Sequence, residues 1–223
     1  MMKSKDIQSV KVWDPVVRIF HWSLVILFFV ALATAEEAEG VHVAAGYMII
    51  GLVILRVIWG FIGPRHARFT DFVRGPRKVL GYLKGLANGR PTYFEGHNPA
   101  GGAMIVAILV TLLFVGFTGI KVLEGEAEEH SMNAKSTDST FSLVTPAYAD
   151  EGEYVYVADS SHDKMKGSDS HELYEEVHEV FVGFMIVFIS LHVLAVLFTY
   201  FVYKENLIKA MITGRKPSRN LPH

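Results

Sequence analysis

The sequence predicts an all-α integral membrane protein built as a bundle of four membrane-spanning helices. Of its 223 residues 51% are hydrophobic, and the mean hydropathy of +0.29 is typical of a small membrane protein. Four apolar stretches are each long enough to cross a bilayer. Lysine and arginine are concentrated in the segments on one side of these stretches. Together these observations favour one membrane domain, residues 1–223.

The four candidate spans cover about residues 16–35, 41–62, 99–122 and 180–203. Asp14 followed by Pro15 is typical of a helix start, which sets the beginning of the first span. A cleaved signal peptide is the alternative for this stretch. The acidic residues Glu36 and Glu37 at its end are unsuited to a cleavage site, so we expect a retained helix.

The basic residues indicate the orientation of the chain. Four lie in the N-terminal segment, seven in the loop at 63–98 and five in the C-terminal tail, which is 16 of the 21 lysines and arginines. The EEAEG turn and the long loop at 123–172 are acidic. The positive-inside rule therefore predicts cytoplasmic termini and an extracytoplasmic loop at 123–172. Because the basic segments adjoin membrane spans, we do not expect nucleic-acid binding.

The two long connections differ in composition. In the loop at 63–98, the segment PRKVLGYLKGL has helical spacing suited to lying at the membrane surface. Residues 123–172 are rich in Ser, Asp, Glu and Gly and low in apolar periodicity, so we expect most of this stretch to be flexible. Two segments within it, FSLVTPAYA and EYVYVA, could form short ordered pieces.

Four histidines form two pairs by depth. His178 and His192 lie fourteen residues apart on the fourth span, about 3.9 helical turns, so both project from nearly one face and lie roughly 21 Å apart. A histidine inside a membrane helix costs free energy, so a functional role is the first hypothesis for it. His42 enters the second span at the level of His178, and His21 enters the first span at the level of His192.

These pairs predict two haems. Two imidazoles from different helices at one depth are what six-coordinate haem iron needs from a protein, whereas zinc or copper would need three or four ligands in one cluster. The absence of cysteine excludes c-type attachment and Cys-ligated iron–sulfur clusters within the chain. We therefore expect an outer haem on His42 and His178 and an inner haem on His21 and His192. The alternative is four unrelated polar residues at helix interfaces.

Three further residues are candidates for the haem surroundings. Gly46 and Gly183 lie near His42 and His178, and each either makes room for a flat macrocycle or serves ordinary close helix packing. Arg56 lies fourteen residues after His42, at the depth of the inner pair, and a buried arginine needs an anionic partner. We expect a haem propionate in that role, with snorkelling to the headgroups as the alternative.

Four segments occur together in this chain: WDPVVRIFHW, HVAAGYMIIGLVILRVIWGFIGPRHARF, GHNPAGGAM and HEVFVGFMIVFISLH. In combination they resemble the bacterial cytochrome b561 family, which includes the cytochrome b subunits of Ni/Fe-hydrogenases. The resemblance covers almost the whole chain except the long outer loop. It implies bis-histidine haem b and electron transfer, in the bacterial inner membrane, between the quinone pool and an extracytoplasmic partner such as a c-type cytochrome, hydrogenase or dehydrogenase.

The segment GHNPAGG is the candidate quinone site. The similar membrane subunits of formate dehydrogenases bind quinone near the inner haem with an asparagine and a glycine at the start of the third span. Here GHNPAGG offers His97, Asn98 and Gly101 at that place. Asn98 followed by Pro99 is also a favourable helix start, and the two roles are compatible.

The remaining histidines lie in loops or at the terminus, where we expect solvated side chains: His66, His97, His130, His162, His171 and His223. Of these, His97 alone lies near the predicted inner site. A weak metal site shared by His130, His162 and His171 in the acidic loop is an alternative to solvation.

The sequence thus predicts a dihaem membrane electron carrier with membrane lipid and quinone as partners, and it leaves an oligomer open. No catalytic triad, phosphate loop or nucleotide fingerprint is present, so any enzymatic label depends on quinone chemistry alone. One alternative is a haem-bearing membrane-anchor subunit of a periplasmic hydrogenase or dehydrogenase. Another is a haem-free transporter that uses its histidines as a proton relay.

Overall fold

The computed structural model describes residues 9–89, 94, 96–140 and 161–217. In this part of the chain the elements follow in order: strand β1 (Ser9–Lys11), helices α1 (Pro15–Thr34) and α2 (Glu39–Ile62), a 3₁₀ turn (Arg65–Ala67), helices α3 (Phe69–Phe72), α4 (Pro76–Ala87), α5 (Pro99–Thr140), α6 (Ser161–Tyr203) and α7 (Leu207–Thr213), and strand β2 (Arg215–Pro217).

The structure confirms the all-α membrane fold with four spans. Helices long and apolar enough to cross a bilayer cover Pro15–Thr34, Glu39–Ile62, Pro99–Glu128 and His171–Val202. Their outer surfaces are apolar, since Ile19, Ile26 and Phe201 are each more than 60% exposed. Such continuous apolar surface would be unstable in water and suits contact with lipid.

The described contacts divide the chain into two compact units. The larger unit comprises Met1–Gly116 and Gly183–His223, and the smaller comprises Phe117–Val182. In the larger unit α1 packs against α2. Its core combines residues from four helices: Phe20, Ile49, Val53, Leu109, Leu112 and Met185. The prediction of a single domain over residues 1–223 stays a prediction.

One end of the larger unit joins the two terminal segments. β1 pairs antiparallel with β2, with Val10 opposite Lys216. Beside this pair, Val12 and Trp13 pack on Ala210 of α7. The pairing was not predicted, because two three-residue strands about two hundred residues apart have no recognisable pattern in sequence.

The same end holds the loop at 63–98. Lys216 Nζ lies 2.9 Å from Glu205 Oε2 and donates to the backbone oxygen of Phe94 at 3.2 Å. Arg18 donates from Nε to the Met211 carbonyl at 3.2 Å and from Nη2 to that of Ile212. The described parts of the N-terminal segment, the loop and the tail therefore meet at one end of the unit.

Gly214 allows the chain to turn between α7 and β2. It ends α7 in the left-handed region at φ 77°, where its N–H donates to the Ala210 carbonyl. A Cβ at this position would lie 2.8 Å from the Trp13 carbonyl oxygen. Both the backbone angle and the space favour glycine here.

The connections carry more helix than the sequence indicated. The segment PRKVLGYLKGL forms α4, as its spacing predicted. In contrast, the expectation of a mostly flexible stretch at 123–172 is wrong for the described part, since α5 continues to Thr140 and α6 begins at Ser161. Extending an existing helix avoids the cost of nucleation, so polar residues after a span can stay helical without an apolar face. FSLVTPAYA and EYVYVA lie outside the described residues.

Candidate haem centre

His21 and His192 lie in the larger unit, on α1 and α6. The two half-buried imidazoles are close enough to interact electrostatically. His21 also packs edge-on against Trp22, with ring centroids 5.2 Å apart. Its Nδ1 is enclosed and has no hydrogen-bond partner among the described residues. A buried polar atom without a partner needs an explanation, and iron coordination of one ring nitrogen is compatible with this environment.

His42 is oriented by the neighbouring helix. Its Nδ1 lies 2.9 Å from the Ala31 carbonyl oxygen, which can only accept, so Nδ1 carries the proton and donates. That tautomer places the lone pair on Nε2. A histidine that ligates a metal usually donates from its other nitrogen in this manner, which fixes the orientation of the ring.

His178, in the smaller unit, is held by α5. Its Nδ1 lies 3.0 Å from Thr118 Oγ1. Thr118 is 3% exposed, and a Cβ at the next residue, Gly119, would lie 3.1 Å from the His178 ring. The sequence reasoning missed both residues. The signal in the sequence is a single threonine inside the apolar segment VGFTGI, since a buried hydroxyl needs a polar partner.

The two glycines near the predicted ligands border open space. A Cβ added at Gly46 or at Gly183 would meet no heavy atom within 4 Å. Close helix packing therefore does not explain either glycine. Gly116 shows the contrast, because a Cβ there would lie 2.7 Å from Ile50 Cγ1. Open space near His42 is compatible with a bound planar ring.

Arg56 is enclosed rather than extended toward the headgroups. It is 4% exposed and donates from Nη2 to the Ala67 carbonyl at 3.2 Å. Its guanidinium carbon lies 5.2 Å from the ring centroid of Phe69 and 5.8 Å from that of Phe72. Nη1 has no partner, and among the described residues no carboxylate forms an ion pair with Arg56. The enclosed position does not favour snorkelling to the headgroups. The negative charge of Asp14 acts on the Arg56 guanidinium, and the propionate role stays a prediction.

These features fit a haem better than a metal ion held by protein alone. Among the described residues, no group of three or more His, Asp or Glu side chains could hold a metal ion. Pairs of imidazoles, by contrast, suffice when a porphyrin fills the four equatorial positions. The side chains of His130 and His162 and all of His223 lie outside the described part, so the structure does not test the acidic-loop metal site.

Asn98 and Gly101 form the start of α5. The Asn98 side-chain oxygen accepts from Gly101 N at 2.7 Å, and the Asn98 carbonyl accepts from Gly102 N at 2.9 Å. Asn98 is therefore the N-cap that the sequence suggested. Capping occupies the amide oxygen but leaves the amide N–H₂ as a donor, so the predicted quinone contact requires that group.

His97 is not the solvated histidine that we expected. Its ring lies between Trp13, at 4.3 Å between centroids, and Phe72, at 4.9 Å. Its Nδ1 is enclosed and, within the part of the chain that the structure describes, has no hydrogen-bond partner. Burial, together with the charge of Arg56, lowers the pKa of His97 to about 3, so the ring is neutral at physiological pH. Sequence reasoning missed this because Trp13 and Phe72 are distant along the chain.

Comparison with known proteins assigns the family. The model of the prokaryotic cytochrome b561 family matches residues 12–214. Curated relatives named as probable Ni/Fe-hydrogenase B-type cytochrome subunits include one from Rhizobium leguminosarum bv. viciae, 25% identical over 96% of this chain and 91% of the relative. Others come from Azotobacter vinelandii (25%, 92% and 88%) and Cupriavidus necator (23%, 94% and 88%).

No solved structure matches the chain. The family match covers most of the sequence and agrees with the four apolar helices and the histidines within them. Family members are b-type cytochromes of the membrane that take part in electron transport. The chain is an integral membrane protein of the prokaryotic cytochrome b561 family.

Proposed function

We propose that this chain is a dihaem cytochrome that carries electrons across the bacterial inner membrane between the quinone pool and an extracytoplasmic redox protein. The observation that carries the proposal is the presence of four membrane histidines on three helices, in a chain whose family implies haem b. Haem supplies one-electron transfer, and two haems at different depths would connect the two sides of the membrane.

We assign the inner haem to His21 and His192 and the outer haem to His42 and His178. The electrostatic contact between His21 and His192 supports the inner pair. The Ala31 and Thr118 contacts support His42 and His178 individually as oriented ligands. Arg56 would provide the positive charge for a propionate of the inner haem, since its Nη1 needs an acceptor.

The orientation follows from the charges. The three basic segments meet at the end where β1 pairs with β2, and we assign this end to the cytoplasm. Protease added to intact spheroplasts should then cleave within 123–172 and spare 63–98. Cleavage at 63–98 alone would invert the orientation and move the quinone site to the other side.

The extracytoplasmic partner should present a basic surface. Among its described side chains the smaller unit exposes six acidic ones: Glu124, Glu128, Glu172, Glu175, Glu176 and Glu179. Its Lys121 is already bound to Glu124 at 2.6 Å. A negative surface of this kind speeds association with a basic partner. The names of the relatives favour a Ni/Fe-hydrogenase in that role. In that case the chain is the membrane subunit of such an enzyme. Co-purification with a hydrogenase would distinguish a membrane subunit from a free electron carrier.

The quinone is assigned to the start of α5, beside His192. The Asn98 amide N–H₂ and the backbone near Gly101 would donate to a quinone carbonyl, while the tail enters laterally from lipid. Because Asn98 also caps α5, Asn98→Asp is the informative variant: it keeps the capping oxygen and loses the donor. We expect quinol to reduce this variant at least about tenfold more slowly, since a hydrogen bond is worth roughly 1–1.5 kcal/mol.

Two measurements test the proposal as a whole. A reduced-minus-oxidised spectrum with the haem-to-protein ratio should give two b-type haems per chain, and one haem would refute the dihaem assignment. Stopped-flow mixing with a short-chain quinol should then reduce the haems. Membership of a b-type cytochrome family leaves the alternative of a haem-free transporter without support. Absence of a Soret band from the purified protein would favour that alternative again.

A further inference from the structure

A titratable pair lies in the loop between α2 and α5 and has no part in the assignments above. His66 Nδ1 lies 3.2 Å from Asp71 Oδ2, and the two side chains are 24% and 26% exposed. The other carboxylate oxygen of Asp71 lies 3.6 Å from Nε of Arg65, whose side chain is 85% exposed. The carboxylate therefore lies between solvent and a half-enclosed imidazole.

The inner side of this pair faces the segment that carries His97. A Cβ at Gly96 would lie 3.2 Å from His66 Nδ1, so glycine lets the ring approach the backbone directly before His97. His97 is within electrostatic range of His66, Asp71 and His192. Arg65 is thus open to solvent, Asp71 and His66 are each about one quarter exposed, and Nδ1 of His97 is enclosed.

Quinone chemistry requires a proton route at such a site. Oxidation of one quinol to quinone breaks two O–H bonds, passes two electrons singly to the cytochrome and releases two protons; quinone reduction reverses this. Histidine is the side chain whose ordinary pKa, near 6.5, suits proton transfer at neutral pH. A neutral imidazole such as His97 can accept a proton on one nitrogen while it releases one from the other, so it transmits protons without storing charge.

We propose that His66 and Asp71 form a proton relay that connects a quinone head group beside His97 with the cytoplasmic solvent. This inference rests on the proposed quinone function. Asp71 positions the His66 ring and takes over its proton, and His97 is the group that contacts the quinone oxygen. Among the described residues, three other charged groups face the relay: Arg65, Arg74 and Arg56 of α2. Arg74 donates from Nη2 to the Asp71 carbonyl at 2.6 Å.

The test uses the full-length haem-bound protein in detergent and a short-chain ubiquinol, with a short-chain naphthoquinol as second probe. The rate of haem reduction is measured by stopped flow between pH 5.5 and 8.5, in H₂O and in D₂O. We expect His66→Gln and Asp71→Asn to slow reduction about tenfold or more, to change the pH profile and to enlarge the solvent isotope effect. Millimolar imidazole should restore much of the rate in His66→Ala but not in Asn98→Asp.

Arg77→Gln is the matched control, because it removes an exposed cation from α4 and leaves Arg65 and the His66–Asp71 pair in place. The rate of haem reduction in this control variant should stay within about twofold of the wild-type rate. Reduction by dithionite and the haem-to-protein ratio should be unchanged in every variant, which separates a relay defect from misfolding. Wild-type rates and pH profiles in both His66→Gln and Asp71→Asn would overturn the relay while leaving quinol oxidation intact. If neither quinol reduces the wild type, the quinone function itself fails, and the relay with it.

Discussion

The histidines predicted for the outer haem differ in their surroundings from those near the inner one. His42 and His178 each have Nδ1 in contact with a polar group of the chain, the Ala31 carbonyl and the Thr118 hydroxyl. At the inner level, one enclosed nitrogen each of His21, Arg56 and His97 has no hydrogen-bond partner in residues 9–89, 94, 96–140 and 161–217. The predicted outer ligands are thus oriented by polar groups of the chain, whereas the inner region provides groups for further occupants, which we propose to be a propionate and a quinone.

The largest effect is expected from removing one ligand of each pair. His178→Ala should remove the outer haem and leave the inner one, and His192→Ala should do the reverse, because one axial imidazole with no partner holds haem b poorly. The haem-to-protein ratio should fall from two to one in each variant, with different residual spectra. Full haem content with an unchanged spectrum in either variant would refute the pairing.

Acid should destabilise the end of the protein that contains His97. The unfolded chain binds a proton on this ring below about pH 6.5, but the folded protein resists protonation until about pH 3, so stability is lost as the pH falls through that window. Between pH 6.5 and 5 the loss is about 2 kcal/mol.

His97→Phe keeps an aromatic ring beside Trp13 and Phe72 and removes the titration. Denaturant unfolding of the haem-bound protein should therefore show a shallower pH dependence in the variant than in wild type. Equal slopes for the two proteins between pH 6.5 and 5 would show that His97 is not held neutral by burial.

The Thr118 contact should matter for the outer haem alone. Thr118→Val preserves shape and removes the hydroxyl from His178 Nδ1, which should weaken binding of the outer haem roughly tenfold, a typical effect of losing an outer-shell partner. Haem transfer to apomyoglobin measures this. Thr111→Val is the control, because Thr111 is equally buried but bonds to the Ala107 carbonyl. Equal haem loss from both variants would contradict the role of Thr118 as the partner that orients His178.

The smallest effect is expected at Arg56. Arg56→Met removes a positive charge that would stabilise the reduced haem. We therefore expect the midpoint potential of the inner haem to fall by roughly 50 mV, corresponding to about 1 kcal/mol. Redox titration followed in the visible spectrum resolves the two haems. Arg68→Met serves as control, since Arg68 is exposed and bonds to the Gly63 carbonyl. A shift confined to the outer haem would reassign the partner of Arg56.

Local patterns in the sequence were enough to predict the four spans, the helix start at Asp14, the N-cap at Asn98 and the identity of the candidate ligands. These depend on local patterns: apolar length, capping chemistry and histidines within spans. The confirmed caps show this directly, since the Asp14 and Asn98 side chains accept from backbone N–H groups three residues later. The haem and quinone roles of these residues stay predictions.

Tertiary structure decided the contacts between residues far apart in sequence. Thr118 contacts His178 sixty positions away, Lys216 donates to the Phe94 carbonyl 122 positions away, and Trp13 packs against the ring of His97. No local pattern encodes such pairs, because they arise when whole helices and terminal segments pack. The helical continuation of α5 to Thr140 likewise depends on the preceding span, since an existing helix lowers the cost of adding polar residues that would not form one alone.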